Sequence, residues 1–191
     1  MRLLAKTLDP ARYRIEALPC ARVGLADEAA YRGLRDLGID VDSTGFDLGF
    51  GDTVHHLAQK ITEYEIIISC QNVADIFPAL ERLQYHPALI ECGREVAEAI
   101  VGPKHFTTRY VAASKAIRAA AADRMTGRSN QPQTIVPPQC HAVRRPRWWK
   151  LVRTRLGFAR PQSDGLAAQW QSLIEAVLVE VAALPHRLCR L

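Results

Sequence analysis

Short apolar runs alternate with helically spaced apolar residues along the first 125 positions of the chain. Residues 66–68 are three consecutive isoleucines, a β-branched run typical of a strand that is buried on both faces. Directly after it, apolar residues recur at spacings of three and four, which predicts a helix over residues 73–85. The isoleucine run therefore predicts a central strand that leads at once into a helix.

The same alternation is found before and after this pair. Strands are predicted at residues 13–20, 39–43, 65–70, 88–91 and 110–113, and helices at residues 27–37, 52–61, 73–85 and 114–125. Asp52 is expected to cap the second of these helices. Strands separated by helices predict βαβ units. The predicted fold class is therefore α/β, a Rossmann-like parallel sheet flanked by helices.

The alternation ends at Gly127, where the composition changes. Residues 127–139 are rich in proline and glutamine and hold at most one short strand, at 134–136. From residue 165 to 184 apolar residues again recur at three and four, which predicts an amphipathic C-terminal helix that covers the α/β domain. We therefore divide the chain into a Rossmann-like domain (1–126), a linker with a basic segment (127–164) and a C-terminal helix (165–191).

The net charge of +5 is concentrated in one stretch of the chain. Residues 141–160 contain seven lysines and arginines and no acidic residue. The basic segment combines cationic and aromatic side chains: Arg144, Arg145, Arg147, Trp148, Trp149 and Lys150. This mixture is typical of membrane-surface and nucleic-acid binders. Of these two partners, the segment favours an anionic membrane surface over nucleic acid. The alternative is that the segment has no specific role.

Cysteine spacing and the absence of long apolar runs bear on the cellular location. The five cysteines lack paired spacing, which suits reduced thiols better than disulfides or a zinc site, and no metal or cofactor is predicted. No apolar run reaches eighteen residues, and the first twenty residues lack a signal-peptide core. We expect a cytoplasmic protein, which the basic segment could hold at the inner membrane surface.

Polar residues follow the isoleucine strand at its carboxyl end, the edge where open α/β sheets bind ligands. Gln71, Asn72 and Asp75 lie there. Amides and carboxylates offer the paired donors and acceptors that hydroxyl groups require, so these residues are candidates for binding the hydroxyl groups of a ligand. The alternative is that Asn72 caps the helix that follows.

A second group of candidates follows the next predicted strand. Glu91 could bind a hydroxyl group, and Gly93 would allow close approach of the backbone; the alternative is a turn with a buried thiol at Cys92. Lys104 and His105 come later in the same connection and could offset phosphate charge, although basic loop residues are usually only solvated. No nucleophile and base pair is recognisable, so catalytic residues are not assigned.

Five segments carry a family resemblance. They are residues 3–10 (LLAKTLDP), 69–81 (SCQNVADIFPALE), 90–93 (IECG), 99–105 (AIVGPKH) and 110–118 (YVAASKAIR). Together they resemble the amino-terminal domain of family 4 glycosyltransferases, the retaining enzymes of the GT-B fold. The resemblance covers residues 2–126.

The resemblance implies a hexosyltransferase that uses a nucleotide-sugar donor and binds a sugar acceptor on this domain. Family members begin with a strand and a glycine-rich loop that would precede Met1, and they continue with a donor-binding domain. We therefore expect a truncated glycosyltransferase without that second domain. Cys92 also stands where the family favours histidine. The alternative is a non-catalytic interaction protein that binds a partner or a membrane.

Overall fold

The computed structural model describes residues 4, 6, 8–20, 25–70, 76–125, 134–135 and 163–183. Within this part of the chain the strands are β1 (Glu16–Ala17), β2 (Asp40–Val41), β3 (Ile66–Cys70), β4 (Ala88–Gly93), β5 (Thr107–Ala112) and β6 (Thr134–Ile135). The helices are α1 (Leu25–Arg35), α2 (Phe50–Lys60), α3 (Ile76–Glu81), α4 (Val96–Ile100), α5 (Lys115–Met125) and α6 (Ser163–Ala183). Short 3-10 turns occupy Thr44–Phe46, Ile61–Glu63 and Lys104–Phe106.

Every pair of neighbouring strands in the two sheets is parallel. β1 pairs with β2 in one sheet, and β3, β4, β5 and β6 lie in that order in a second sheet. A helix connects each strand to the next along the chain from β1 to β6, as parallel pairing requires. The predicted α/β class with parallel strands and flanking helices is confirmed, although the strands form two small sheets.

The prediction that the isoleucine run forms a central strand is wrong. β3 lies at one end of the four-stranded sheet and, among the described residues, pairs only with β4. The apolar composition of β3 comes from burial of its two faces and not from a central position in the sheet. Ile67 packs in the apolar cluster of α2 and α3 on one face of the sheet, while Ile66 and Ile68 pack in the cluster of α6 on the other face. Because helices cover both faces, an end strand has the composition of a central one.

The C-terminal helix packs against the α/β domain, as predicted. Leu173, Ile174 and Val177 of α6 are buried in one cluster with Ile90 of β4 and Val111 of β5. On the opposite face, α2 and α3 pack against β3 and β4, and α5 packs against β5. The four-stranded sheet is therefore the middle layer of three.

Several element boundaries differ from the prediction, and three of them illustrate why. Gly49 holds the N-cap position of α2, so Asp52 lies in the first turn and does not cap the helix. Helix α3 ends at Glu81, because the Leu83 N–H donates to a carbonyl three residues before it and the chain turns toward β4. Strand β5 begins at Thr107, three residues earlier than predicted. Its first residues are polar, so the apolar pattern did not mark them as part of the strand.

Candidate binding edge of the four-stranded sheet

The carboxyl ends of β3, β4 and β5 lie side by side at one edge of the four-stranded sheet. Cys70, the last residue of β3, is in register with Cys92, and Gly93, the last residue of β4, is in register with Ala112. In parallel α/β sheets, ligands bind outside these strand ends. We therefore take this edge, from Cys70 to Ala112, as the candidate site and call it the binding edge.

A buried ion pair lies beneath the sheet, on the face that α3 and α5 cover. Lys104 Nζ is 2.7 Å from Glu91 Oε2, and both residues are less than a tenth exposed. The ammonium group also lies 5.2 Å from the ring centroid of Tyr110 and 5.9 Å from that of Phe77. Burial of either charge alone would be costly, and the contact lets each group offset the charge of the other inside the domain.

A β-bulge gives the Glu91 carboxylate its second partner. The register shifts between Leu89 and Ile90, so Thr108 is an extra residue in β5 and Thr107 is the one paired with Leu89. Thr107 then shares the face of Glu91, and its hydroxyl donates to Glu91 Oε1. Bulges re-aim side chains in this way. Both oxygens of the carboxylate are thus hydrogen-bonded within the protein.

Tyr110 fills the space between the ion pair and the end of β4. Its side chain is buried, and within the described part of the chain its hydroxyl has no hydrogen-bond partner. A Cβ at position 93 would lie 1.9 Å from this hydroxyl oxygen, so only glycine fits there beside the tyrosine. Burial raises the pKa of Tyr110, and the nearby Glu91 charge raises it further. The Tyr110 hydroxyl therefore stays neutral at ordinary pH.

The chain reaches Lys104 through a turn that requires glycine. Gly102 has a φ of +79°, and a Cβ there would lie 2.3 Å from the ring of Phe77. The left-handed backbone and the close aromatic ring both exclude other residues. Gly102 therefore sets the path that brings the Lys104 side chain under the sheet.

The structure brings some of the predicted site residues together and separates others. Glu91 and Lys104 are in contact. Gly93 lies at the binding edge, whereas Lys104 and His105 lie in the turn where β5 begins, at the opposite end of the strand. The His105 ring is exposed, 4.0 Å from that of Phe106. Contact of any of these residues with a ligand stays a prediction.

The remaining predicted residues lie outside the described part of the chain. Gln71, Asn72 and Asp75 belong to the segment that joins β3 to α3. The basic segment, Arg144, Arg145, Arg147, Trp148, Trp149 and Lys150, also lies outside it. Their predicted roles, including the alternative in which Asn72 caps α3, stay predictions.

Sequence reasoning missed three residues that build the buried network: Phe77, Thr107 and Tyr110. Phe77 reads as one more apolar position of α3, and Tyr110 as the start of a strand. One signal was present. Thr107 and Thr108 are adjacent β-branched residues between a lysine and a strand, which would have extended β5 toward Lys104.

The arrangement is suited to positioning rather than to proton transfer. The carboxylate and the ammonium group neutralise each other away from solvent. Among the described residues, no group of three or more histidine, cysteine and acidic side chains could hold a metal ion. None of the described helices is long and apolar enough to cross a membrane. The network of Glu91, Lys104, Thr107 and Tyr110 holds the end of β4 in place at the binding edge.

Comparison with protein-family models, with curated proteins and with solved structures finds no match to this chain.

Proposed function

We propose that the α/β domain binds a sugar at the binding edge, as the acceptor-side domain of a GT-B glycosyltransferase. One observation carries this proposal. β3, β4, β5 and β6 form an open parallel sheet in chain order, and the carboxyl ends of β3, β4 and β5 lie side by side at the binding edge. In open parallel α/β sheets, ligands bind in the crevice outside these strand ends.

The residues at these strand ends have chemistry that suits a sugar. β3 ends at Cys70, and the polar segment with Gln71, Asn72 and Asp75 follows directly. Gly93 ends the neighbouring strand at the binding edge, where the absence of a side chain leaves room for the Tyr110 hydroxyl and the backbone of β4 borders the site. Amide and carboxylate groups can each bind two sugar hydroxyls at once. The polar segment and the glycine supply the two halves of a hydroxyl-binding surface.

The nucleotide-sugar donor enters the proposal through the family resemblance alone. Retaining transfer of this type depends on positioning the reactants and on stabilising the leaving diphosphate, so it needs no buried nucleophile on this domain. Lys104 Nζ donates a hydrogen bond to the carboxylate of Glu91 in β4. This pair supports the binding edge from the face of the sheet that α3 and α5 cover. The acceptor sugar is therefore the ligand expected at the binding edge.

Thermal unfolding of the full chain with free hexoses and with UDP- and GDP-hexoses tests this proposal. A ligand at ten times its dissociation constant stabilises by about 1.4 kcal/mol, which should raise Tm by about 3–6 °C. The double substitution Gln71→Ala with Asn72→Ala should abolish the shift. Gln59→Ala is the matched control, since Gln59 is exposed near the end of α2 that leads into the opposite edge of the sheet. Absence of a shift with every sugar, or equal loss in the control, would contradict the proposal.

A second candidate function is binding to an anionic membrane surface through the basic segment. The observation that favours it is the run of seven basic residues without an acidic one between residues 141 and 160. Each cation near such a surface contributes about 1 kcal/mol, so loss of three should weaken binding roughly a hundredfold at low salt. This effect is screened as the salt concentration rises.

Co-sedimentation with vesicles of phosphatidylcholine and phosphatidylserine measures this effect. The triple substitution of Arg144, Arg145 and Arg147 by alanine is expected to leave the protein in the supernatant. The control removes three exposed arginines of the α/β domain instead, by Arg32→Ala, Arg35→Ala and Arg118→Ala. Unchanged pelleting of the first variant would remove the basic segment as a membrane-binding element.

A further inference from the structure

Two cysteines of the binding edge are neighbours across a strand pair. Cys70 of β3 and Cys92 of β4 are in direct register, and both are free and partly exposed. Neighbouring strands lie about 4.8 Å apart, which is within the Cα separation of about 4.4–6.8 Å that a disulfide spans. The register therefore gives the two cysteines a Cα separation within the range that a disulfide spans.

Both thiols lie on the same face of the sheet. Side chains alternate along a strand, so Cys92 shares its face with Ile90, and Cys70 shares its face with Ile68. Ile68, Ile90 and Cys92 all belong to the cluster that α6 covers. Cys70 and Cys92 are the last residues on this face of β3 and β4, next to the binding edge. This position explains why solvent still reaches them.

The two thiols differ in how readily each loses its proton. A hydrogen bond from the Cys92 thiol lowers the pKa of Cys70, against the opposing effect of burial. The same hydrogen bond raises the pKa of Cys92, and burial raises it further. Cys70 is therefore the thiol of the pair that ionises more readily, and Cys92 retains its proton. A nucleophilic thiolate beside a protonated thiol is the arrangement found where disulfides form and break.

We propose that Cys70 and Cys92 are a redox-active dithiol that hydrogen peroxide oxidises to a disulfide between β3 and β4. The Cys70 thiolate attacks one oxygen of the peroxide, the O–O bond breaks, and Cys70 becomes a sulfenic acid as hydroxide leaves. The Cys92 sulfur then attacks the sulfenic sulfur, and the sulfenic oxygen leaves as water with the Cys92 proton. Two electrons pass from the sulfurs to the peroxide.

This disulfide would covalently join two strand ends of the binding edge. Its consequences do not depend on the identity of the ligand, so the dithiol stands or falls separately from sugar binding. Cys20 provides an internal comparison, since it is also partly exposed, but its thiol donates to the Leu18 carbonyl oxygen at 3.7 Å. A carbonyl acceptor does not stabilise a thiolate.

Peptide mapping of the reduced full chain after peroxide treatment tests the dithiol. Trypsin separates the two cysteines into peptides 61–82 and 83–94, so the disulfide appears as one linked species that is 2 Da lighter than the two reduced peptides together. In Cys92→Ser we expect the sulfenic acid of Cys70 to be captured by dimedone, and in Cys70→Ser no linked species. Cys20→Ser should form the 61–82 to 83–94 link as the unaltered chain does.

The rate of alkylation by N-ethylmaleimide gives a second measurement that requires no substitution. Cys70 should react roughly five- to tenfold faster than Cys92 at pH 7, because Cys70 is the more readily ionised thiol of the pair and the thiolate is the reacting form. Equal rates at pH 7 would overturn the proposal. So would disulfides that join Cys70 or Cys92 to Cys140 or Cys189 in place of the 61–82 to 83–94 link.

Discussion

Lys104→Met is expected to lower the free energy of unfolding by about 3–5 kcal/mol, because it leaves the buried Glu91 carboxylate without its counter-charge. Methionine fills a similar volume, so the loss reports charge rather than a cavity. Urea unfolding followed by circular dichroism measures it. A variant that is already unfolded without urea would agree with a loss of this size, since whole domains are stable by only about 5–15 kcal/mol.

Two variants separate the charge effect from the loss of side-chain packing. Adding Glu91→Gln to Lys104→Met removes the unpaired charge and keeps an oxygen that accepts from Thr107, so most of the stability should return. Arg12→Met breaks a solvent-exposed pair with Glu175 and should cost less than about 1 kcal/mol. If the double variant is no more stable than Lys104→Met alone, the buried charge is not the cause.

Gly93→Ala is expected to destabilise the protein by at least about 1–3 kcal/mol, since the new methyl group would overlap the Tyr110 side chain. Tyr110 is buried, so a shift of its ring would have to displace neighbouring side chains. Tyr110→Phe alone should be neutral or slightly stabilising, because the buried hydroxyl that it removes makes no hydrogen bond within the described residues. The same urea titrations measure both changes.

Combining the two substitutions identifies the clash. The nearest contact of the new Cβ is the hydroxyl oxygen, but the ring carbon Cζ is also only 2.7 Å away, so Gly93→Ala with Tyr110→Phe should recover part of the stability. Gly51→Ala is the control, because a Cβ there meets nothing within 4 Å. A double variant whose loss is the sum of the single losses would show that residues 93 and 110 do not interact.

The sequence was sufficient to predict the fold class, because hydrophobic periodicity reports which faces of each element are buried. It predicted parallel strands, connecting helices and the packing of α6. It did not predict that β3 is an end strand, since an apolar run reports burial of the faces and carries no information on pairing at the edges. It also overestimated β1, which pairs over only two residues, Glu16 and Ala17, although apolar residues alternate across 13–20.

The candidate site was less predictable than the fold. Glu91 and Lys104 were both singled out as separate ligand-binding residues, and their pairing depends on tertiary features. Gly102 turns the chain beside Phe77 and so brings Lys104 under the sheet. A bulge in β5 separately aligns Thr107 with the Glu91 carboxylate. No local pattern announces a bulge in a run of polar residues. The register of Cys70 with Cys92 was equally hidden, because it depends on how β3 aligns with β4.

The purely parallel pairing of the strands also has a consequence for how the chain folds. The first registered partners of the four β ladders are Glu16 and Asp40, Ile66 and Ala88, Leu89 and Thr107, and Tyr110 and Thr134, at sequence separations of 24, 22, 18 and 24 residues. Loop-closure entropy changes slowly with length, so forming each ladder carries nearly the same entropic cost. None of them is a local hairpin that could nucleate early. Differences in how early the ladders form therefore depend on the side chains that each one buries. β4 pairs on both sides and buries all but one of its residues, so it has the most to gain.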